Sequence, residues 1–79
     1  ALVVACEKYA AKNNLKPIAK VIAHVSHAQT PEWFTTAPTT AIQKVLAKAG
    51  MKVEDIDLFE INEAFSVVPM HSIRELNLD

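Results

Sequence analysis

Apolar residues fall along this chain in short bursts, and the spacing inside each burst changes from one to the next. The opening "ALVVA" is rich in β-branched residues and too short for a helix, so it reads as a buried strand. After Cys6, "EKYAAKNN" places an acid first and two Asn last, a composition that predicts a short helix. Pro17 closes that turn and starts the next element. In "IAKVIAHVSHAQ", Val21, Ala23 and Val25 share one face and Ile22, His24 and Ser26 the other. This period of two predicts a strand with one dry and one mixed face. "TPEWFTTAP" reads as a loop with Pro at both ends. "PTTAIQKVLAKAG" then shows helical spacing: Pro38 suits a first turn, Ala41, Ile42, Val45, Leu46 and Ala49 form a stripe, and Gly50 supplies the stop. "MKVEDID" is a polar connection and "LFEI" a short buried strand. From Ala64 a further helix is expected to carry Phe65, Val68, Pro69, Ser72, Ile73 and Leu76 on one face. Pro69 should cost that helix one backbone hydrogen bond and bend it.

The order is therefore β-α-β-α-β-α, an α/β arrangement of helices on a sheet. No repeat, low-complexity tract or linker interrupts residues 1–79, which read as one partial domain. At 79 residues an independent core is marginal, since a chain this short buries only about 60–65% of its unfolded surface. The chain begins inside an apolar run and stops at "LNLD", so it reads as a piece of a longer protein. Charge adds little: a formal net charge of −1 gives no basic footprint for nucleic acid or an anionic membrane. No apolar run approaches the roughly 20 residues that span a bilayer. One Cys cannot form an internal disulfide, which fits a reducing, cytoplasmic setting.

Candidate chemistry is sparse. His24 and His27 lie three apart on an expected strand and so point to opposite faces, unable to hold one ion together. His71 and Glu75 share a helical face, but such a pair reads as solvated, and no metal-binding spacing is present. No metal is expected. Cys6 at a helix start could be a nucleophile, yet a lone Cys after an apolar run reads better as a small buried side chain. A single Gly leaves no phosphate-binding loop. "EINEAF", residues 60–65, stands apart because a strand end meeting a helix start is where α/β proteins place ligand-contacting groups. Asn62 there has two readings: a helix cap bonding a backbone N–H two or three residues on, or an amide that orients a water or polarises an oxyanion. Local sequence favours the cap.

"VEDIDLFEINEAFSVV" resembles the Asn-Glu-Ala-Phe motif region of the thiolases, the acyl-CoA acetyltransferases. The resemblance runs along the whole chain. "ALVVACEKYAAKNNLKPIAKVIAHV" is similar to the family's strand, short helix, "LKP" turn and following strand, and "TTAPTTAIQKVLAKAGMKVEDID" to its Pro-led helix and Gly-ended connection. It implies part of a layered αβαβα fold, from the start of the C-terminal half. It also implies a parent enzyme that exchanges acyl groups between coenzyme A and a nucleophilic Cys. Such an enzyme condenses two acetyl-CoA molecules or cleaves a 3-ketoacyl-CoA, as in fatty acid metabolism. Coenzyme A thioesters would be substrates, no separate cofactor would be needed, and the parent would be a homo-oligomer, dimeric or tetrameric.

The resemblance assigns Asn62 a catalytic role, holding a water that stabilises the enolate or thioester oxyanion together with a His. Phe65 and Phe34 match positions lining the tunnel for the pantetheine arm. The family's nucleophilic Cys lies in its N-terminal half, and its Gly-His-Pro His and second Cys correspond to positions beyond Asp79; Cys6 matches neither cysteine. The isolated piece is therefore expected to be inactive and either marginally stable or self-associated. The chain departs from the family at "TTAP" and at Pro69, which leaves acyl chain length open. Two other classes remain: a non-catalytic thiolase-like acyl or lipid carrier, and an interaction module.

Overall fold

A computed structural model describes residues 1–78 of the chain. Helix α1 spans Glu7–Lys12, α2 spans Ala37–Ala49 and α3 spans Val67–Leu76. Short 3-10 helices occupy Pro31–Thr36 and Val53–Asp55. The segment "TPEWFTTAP", expected as a loop, is therefore mostly helical, led by Pro at the first position.

All three α-helices end in the same way. Asn14, Gly50 and Asn77 take positive φ angles of 53°, 68° and 51° just past the last turn. Behind each, a backbone N–H reaches back to a carbonyl of the final turn: Leu15 to Ala10 at 2.9 Å, Met51 to Leu46 at 3.0 Å and Leu78 to Ile73 at 3.0 Å. These six-to-one bonds satisfy carbonyls that a helix end leaves open, and the left-handed residue makes the reversal possible. Gly50 fills the role the sequence assigns it.

The core lies where α2 and α3 pack together with the 3-10 helix Pro31–Thr36. Leu46 on α2 meets the interior in register with the expected stripe, flanked by the half-buried Ala41, Ile42, Val45 and Ala49. On α3 the buried positions are Val68, Ser72 and Leu76, spaced by four along one face. Ser72 is wholly enclosed, and its hydroxyl meets that of Thr39 at 2.9 Å across the helix pair. Removing two hydroxyls from water is tolerated because each supplies the other with a partner.

Helix α3 begins at Val67 rather than Ala64, and this changes the meaning of Pro69. The first ladder bond joins the Met70 N–H to the Ser66 carbonyl at 3.3 Å. Pro69 thus sits in the first turn, where the backbone N–H has no intrahelical partner, so its missing donor costs the helix nothing. The expected lost bond and bend do not arise.

The expected strands do not form among the described residues. Residues 1–5, 18–29 and 58–61 carry no strand, and no backbone bond pairs one of these runs with another. Leu2, Val3, Val4, Ile18 and Leu58 are almost fully exposed. A strand closes its hydrogen bonds only against a neighbouring strand, and none of these runs provides one for the others. The alternation survives only from Ala23 onward: Ala23, Val25, His27 and Gln29 are half-buried while Ile22, His24, Ser26 and Ala28 are exposed, and Val21, expected on the dry face, is exposed as well. Exposed surface totals 7087 Å², against about 4,700 Å² for a compact domain of this mass. The β-α-β-α-β-α order is thus present as helices separated by extended chain, not as a sheet. No described helix is long and apolar enough to cross a membrane.

Candidate functional site

The segment 60–64 runs from extended chain into the turn that precedes α3. The Val68 N–H closes that turn on the Phe65 carbonyl at 2.9 Å. Asn62 lies upstream of it and is exposed, and the cap position of α3 falls to Ser66, with no side-chain cap bond. The capping role that local sequence favours for Asn62 is therefore not the one it plays. Four residues separate it from Val67 in the chain, and Ser66 holds the cap position in its place.

Asn62 instead borders an open cavity of about 380 Å³. Phe34, from the 3-10 helix, and Pro38, Ala41 and Ile42, from the first turns of α2, form one wall. Glu60, Ile61, Asn62 and Ala64 form another, with Val68 from the first turn of α3. The lining is mostly apolar, with one amide and one carboxylate at its edge. That mixture suits a ligand with a hydrocarbon body and a polar functional group. The N-terminal turns of two helices border the space, so backbone dipoles add positive potential along that side.

Phe34 and Asn62, far apart in sequence, are thus brought to one cavity. Phe65 is not on its lining. Its ring packs edge-on against Phe34, with centroids 6.2 Å apart and planes at 65°. Such T-shaped pairs contribute about 0.5–1.5 kcal/mol beyond area burial. Phe65 therefore touches the wall only through Phe34. Glu60 and the α2 pair Ala41 and Ile42 were not singled out for the site by their sequence context. Glu60, Ile61 and Asn62 line the cavity consecutively, so closeness along the extended segment, not alternation, links the carboxylate to the amide. Ala41 and Ile42 read as core stripe, and they do double duty as cavity wall.

The remaining candidates stay apart. Cys6 is exposed at the start of α1, not buried as expected, and makes no side-chain cap bond. His24 and His27 do face opposite ways, His24 exposed and His27 half-buried. His27 bonds Lys44 on α2 and Gln29 in its own segment.

Residues 15–79 match the family described as thiolase, C-terminal domain. Among individual relatives, an acetyl-CoA acetyltransferase of Schizosaccharomyces pombe is 51% identical over 82% of this chain and 16% of its own length. A mitochondrial acetyl-CoA acetyltransferase of Danio rerio is 46% identical over all of this chain and 19% of its own. One from Mus musculus, also named mitochondrial, is 44% identical over the same shares. The chain spans less than a fifth of the length of these relatives. A cytoplasmic setting does not follow from a single Cys, since mitochondrial relatives share so much of the sequence. With a family match over residues 15–79 and relatives this similar along its whole length, this chain belongs to the thiolase family.

Proposed function

We propose that the chain is part of a thiolase-type acyl-CoA C-acyltransferase, contributing the amide side of the oxyanion site and one wall of the acyl channel. The observation that carries this reading is the meeting of Asn62 with Phe34 on one largely apolar cavity. In the parent enzyme, a Cys thiolate outside this chain attacks the thioester carbonyl carbon, and negative charge collects on the carbonyl oxygen. Asn62 fixes a water against that charge, beside a largely apolar lining. Preorganised donors of this kind are worth about 3–4 kcal/mol of barrier, because they need no reorganisation as charge develops. The domain is partial and the substrates are coenzyme A thioesters. The parent is a homo-oligomer, and the isolated chain, without a nucleophile, is inactive.

The test is Asn62→Asp in the intact protein. Asp is nearly the same size but brings a negative charge to the forming oxyanion, so turnover should fall by about 10²–10³-fold. The melting temperature should barely move, because Asn62 is exposed and does not cap α3. Near-normal turnover of acetoacetyl-CoA with coenzyme A in that variant would remove Asn62 from the chemistry. A non-catalytic acyl carrier would instead bind acyl-CoA with no turnover even in the unaltered protein.

A further inference from the structure

The backbone of the 3-10 helix is not regular. Trp33, the residue before Phe34, has φ −111° and ψ 16°, outside helical values, so the chain kinks just before it presents Phe34 to the cavity. The Trp33 carbonyl is held at that kink by two donors, the Gln29 side-chain amide and the Thr36 hydroxyl, the latter at 2.9 Å. Gln29 also donates to the Thr36 hydroxyl at 2.6 Å. The Gln29 side-chain oxygen meets His27 Nε2 at 3.0 Å, and His27 Nδ1 meets Lys44 Nζ at 2.9 Å.

The direction of this chain of bonds is fixed from both ends. A lysine ammonium has only donors, so His27 Nδ1 accepts. The imidazole is then neutral with its proton on Nε2, which donates to the Gln29 oxygen. At the other end a carbonyl can only accept, so the Gln29 amide nitrogen faces Trp33, and its oxygen is left free for His27. The two ends demand the same orientation of every group between them. A second lysine one turn along α2, Lys48, donates to the His24 carbonyl at 3.0 Å and fastens the same extended segment.

We infer that Lys44, His27 and Gln29 form a positioning relay, running from α2 to the Trp33 kink, that sets Phe34 at the wall of the acyl cavity. The relay rests on the proposed acyl-CoA reading for its consequence, though not for its geometry. None of the three residues lines the cavity. They act through Phe34, so their loss changes how the acyl portion is held more than how fast it reacts.

The experiment uses the intact protein labelled with 15N at histidine. The His27 ring should appear as the Nε2–H tautomer with a hydrogen-bonded Nδ1. Lys44→Met should shift the Nδ1 resonance of His27 while His24 and His71 stay put. Gln29→Glu keeps the acceptor for His27 and the side-chain size but loses both donors to the kink. It should raise KM for acyl-CoA several-fold with kcat maintained, and weaken the ring–ring proton contact between Phe34 and Phe65. An Nδ1–H tautomer, or a His27 resonance indifferent to Lys44→Met, overturns the relay. An unchanged KM in Gln29→Glu overturns its control of the wall. If the intact protein turns over no acyl-CoA, the functional reading fails alone. The tautomer and the Phe34–Phe65 contact still decide the relay, whose loss in Gln29→Glu supports it and whose persistence overturns it.

Discussion

Leu46 and Leu58 are the same side chain in two physical situations. Leu46, on α2, is 9% exposed, while Leu58, on the extended run before the Asn62 motif, is 89% exposed. The difference lies in where each segment finds its backbone partners. A helix closes its hydrogen bonds within itself and needs neighbours only for its apolar stripe, which α3 supplies to α2. An extended run must find both ladder partners and packing partners elsewhere. The helix pair is therefore self-sufficient in this chain, and the apolar runs 1–5, 18–22 and 58–61 are not.

The comparison is broken most sharply by truncating the two leucines in the 79-residue chain. Leu46→Ala removes a buried side chain, a change that costs about 2–5 kcal/mol in packed cores. Stability this small cannot absorb it, so the helical circular-dichroism signal should largely vanish. Leu58→Ala should leave that signal unchanged. Equal losses from both would mean that Leu58 is covered in solution, as by self-association of the extended runs. Amide exchange gives the same contrast residue by residue, with slow exchange in α2 and rapid exchange at Val3, Val4 and Ile22.

The same division explains what was legible in the sequence. The stripe of α2 and its Gly50 stop are local properties, and both stand as read. The alternation was also legible and persists from residue 22 on, in the exposure of Ala23 and Val25 against Ile22 and His24, though not at the exposed Val21. Pairing was not legible, because a ladder belongs to two segments and one segment's pattern cannot create its partner. The expected start of α3 at Ala64 falls three residues before the observed one at Val67, and Pro69, which that start makes interior, instead marks the first turn. At the site, the local pattern around Asn62 pointed to a cap. Its meeting with Phe34 depends on how α2 seats the 3-10 helix, a tertiary arrangement that no local pattern carries.

A smaller effect sharpens the account of the helix pair itself. Ser72 has no exposure, and its hydroxyl is matched to Thr39. Ser72→Ala leaves the Thr39 hydroxyl buried without that partner and should cost about 1–3 kcal/mol in denaturant titration. Adding Thr39→Val replaces both hydroxyls with apolar groups and should recover most of the loss. A double variant no better than the single would show that the pair is held by shape and not by the shared bond.

The smallest effect separates backbone conformation from packing at the helix stops. A Cβ added at Gly50 would meet nothing within 4 Å, so Gly50→Ala tests the φ of 68° alone. A left-handed conformation costs an ordinary L-residue about 1–2 kcal/mol. Ala's reduced freedom in the unfolded chain returns about 0.4–1 kcal/mol of that. A net loss near 1 kcal/mol is expected. Asn77 holds nearly the same conformation, φ 51° and ψ 48°, with a side chain that tolerates it better than most. Asn77→Gly removes the remaining Cβ penalty but adds about 0.5–1 kcal/mol of unfolded-state entropy, so the two nearly cancel. The melting temperature of Asn77→Gly should lie close to that of the unaltered chain and above that of Gly50→Ala. A drop as large as that of Gly50→Ala would mean that the Asn77 side chain holds a contact of its own, and that α3 does not end by backbone geometry alone.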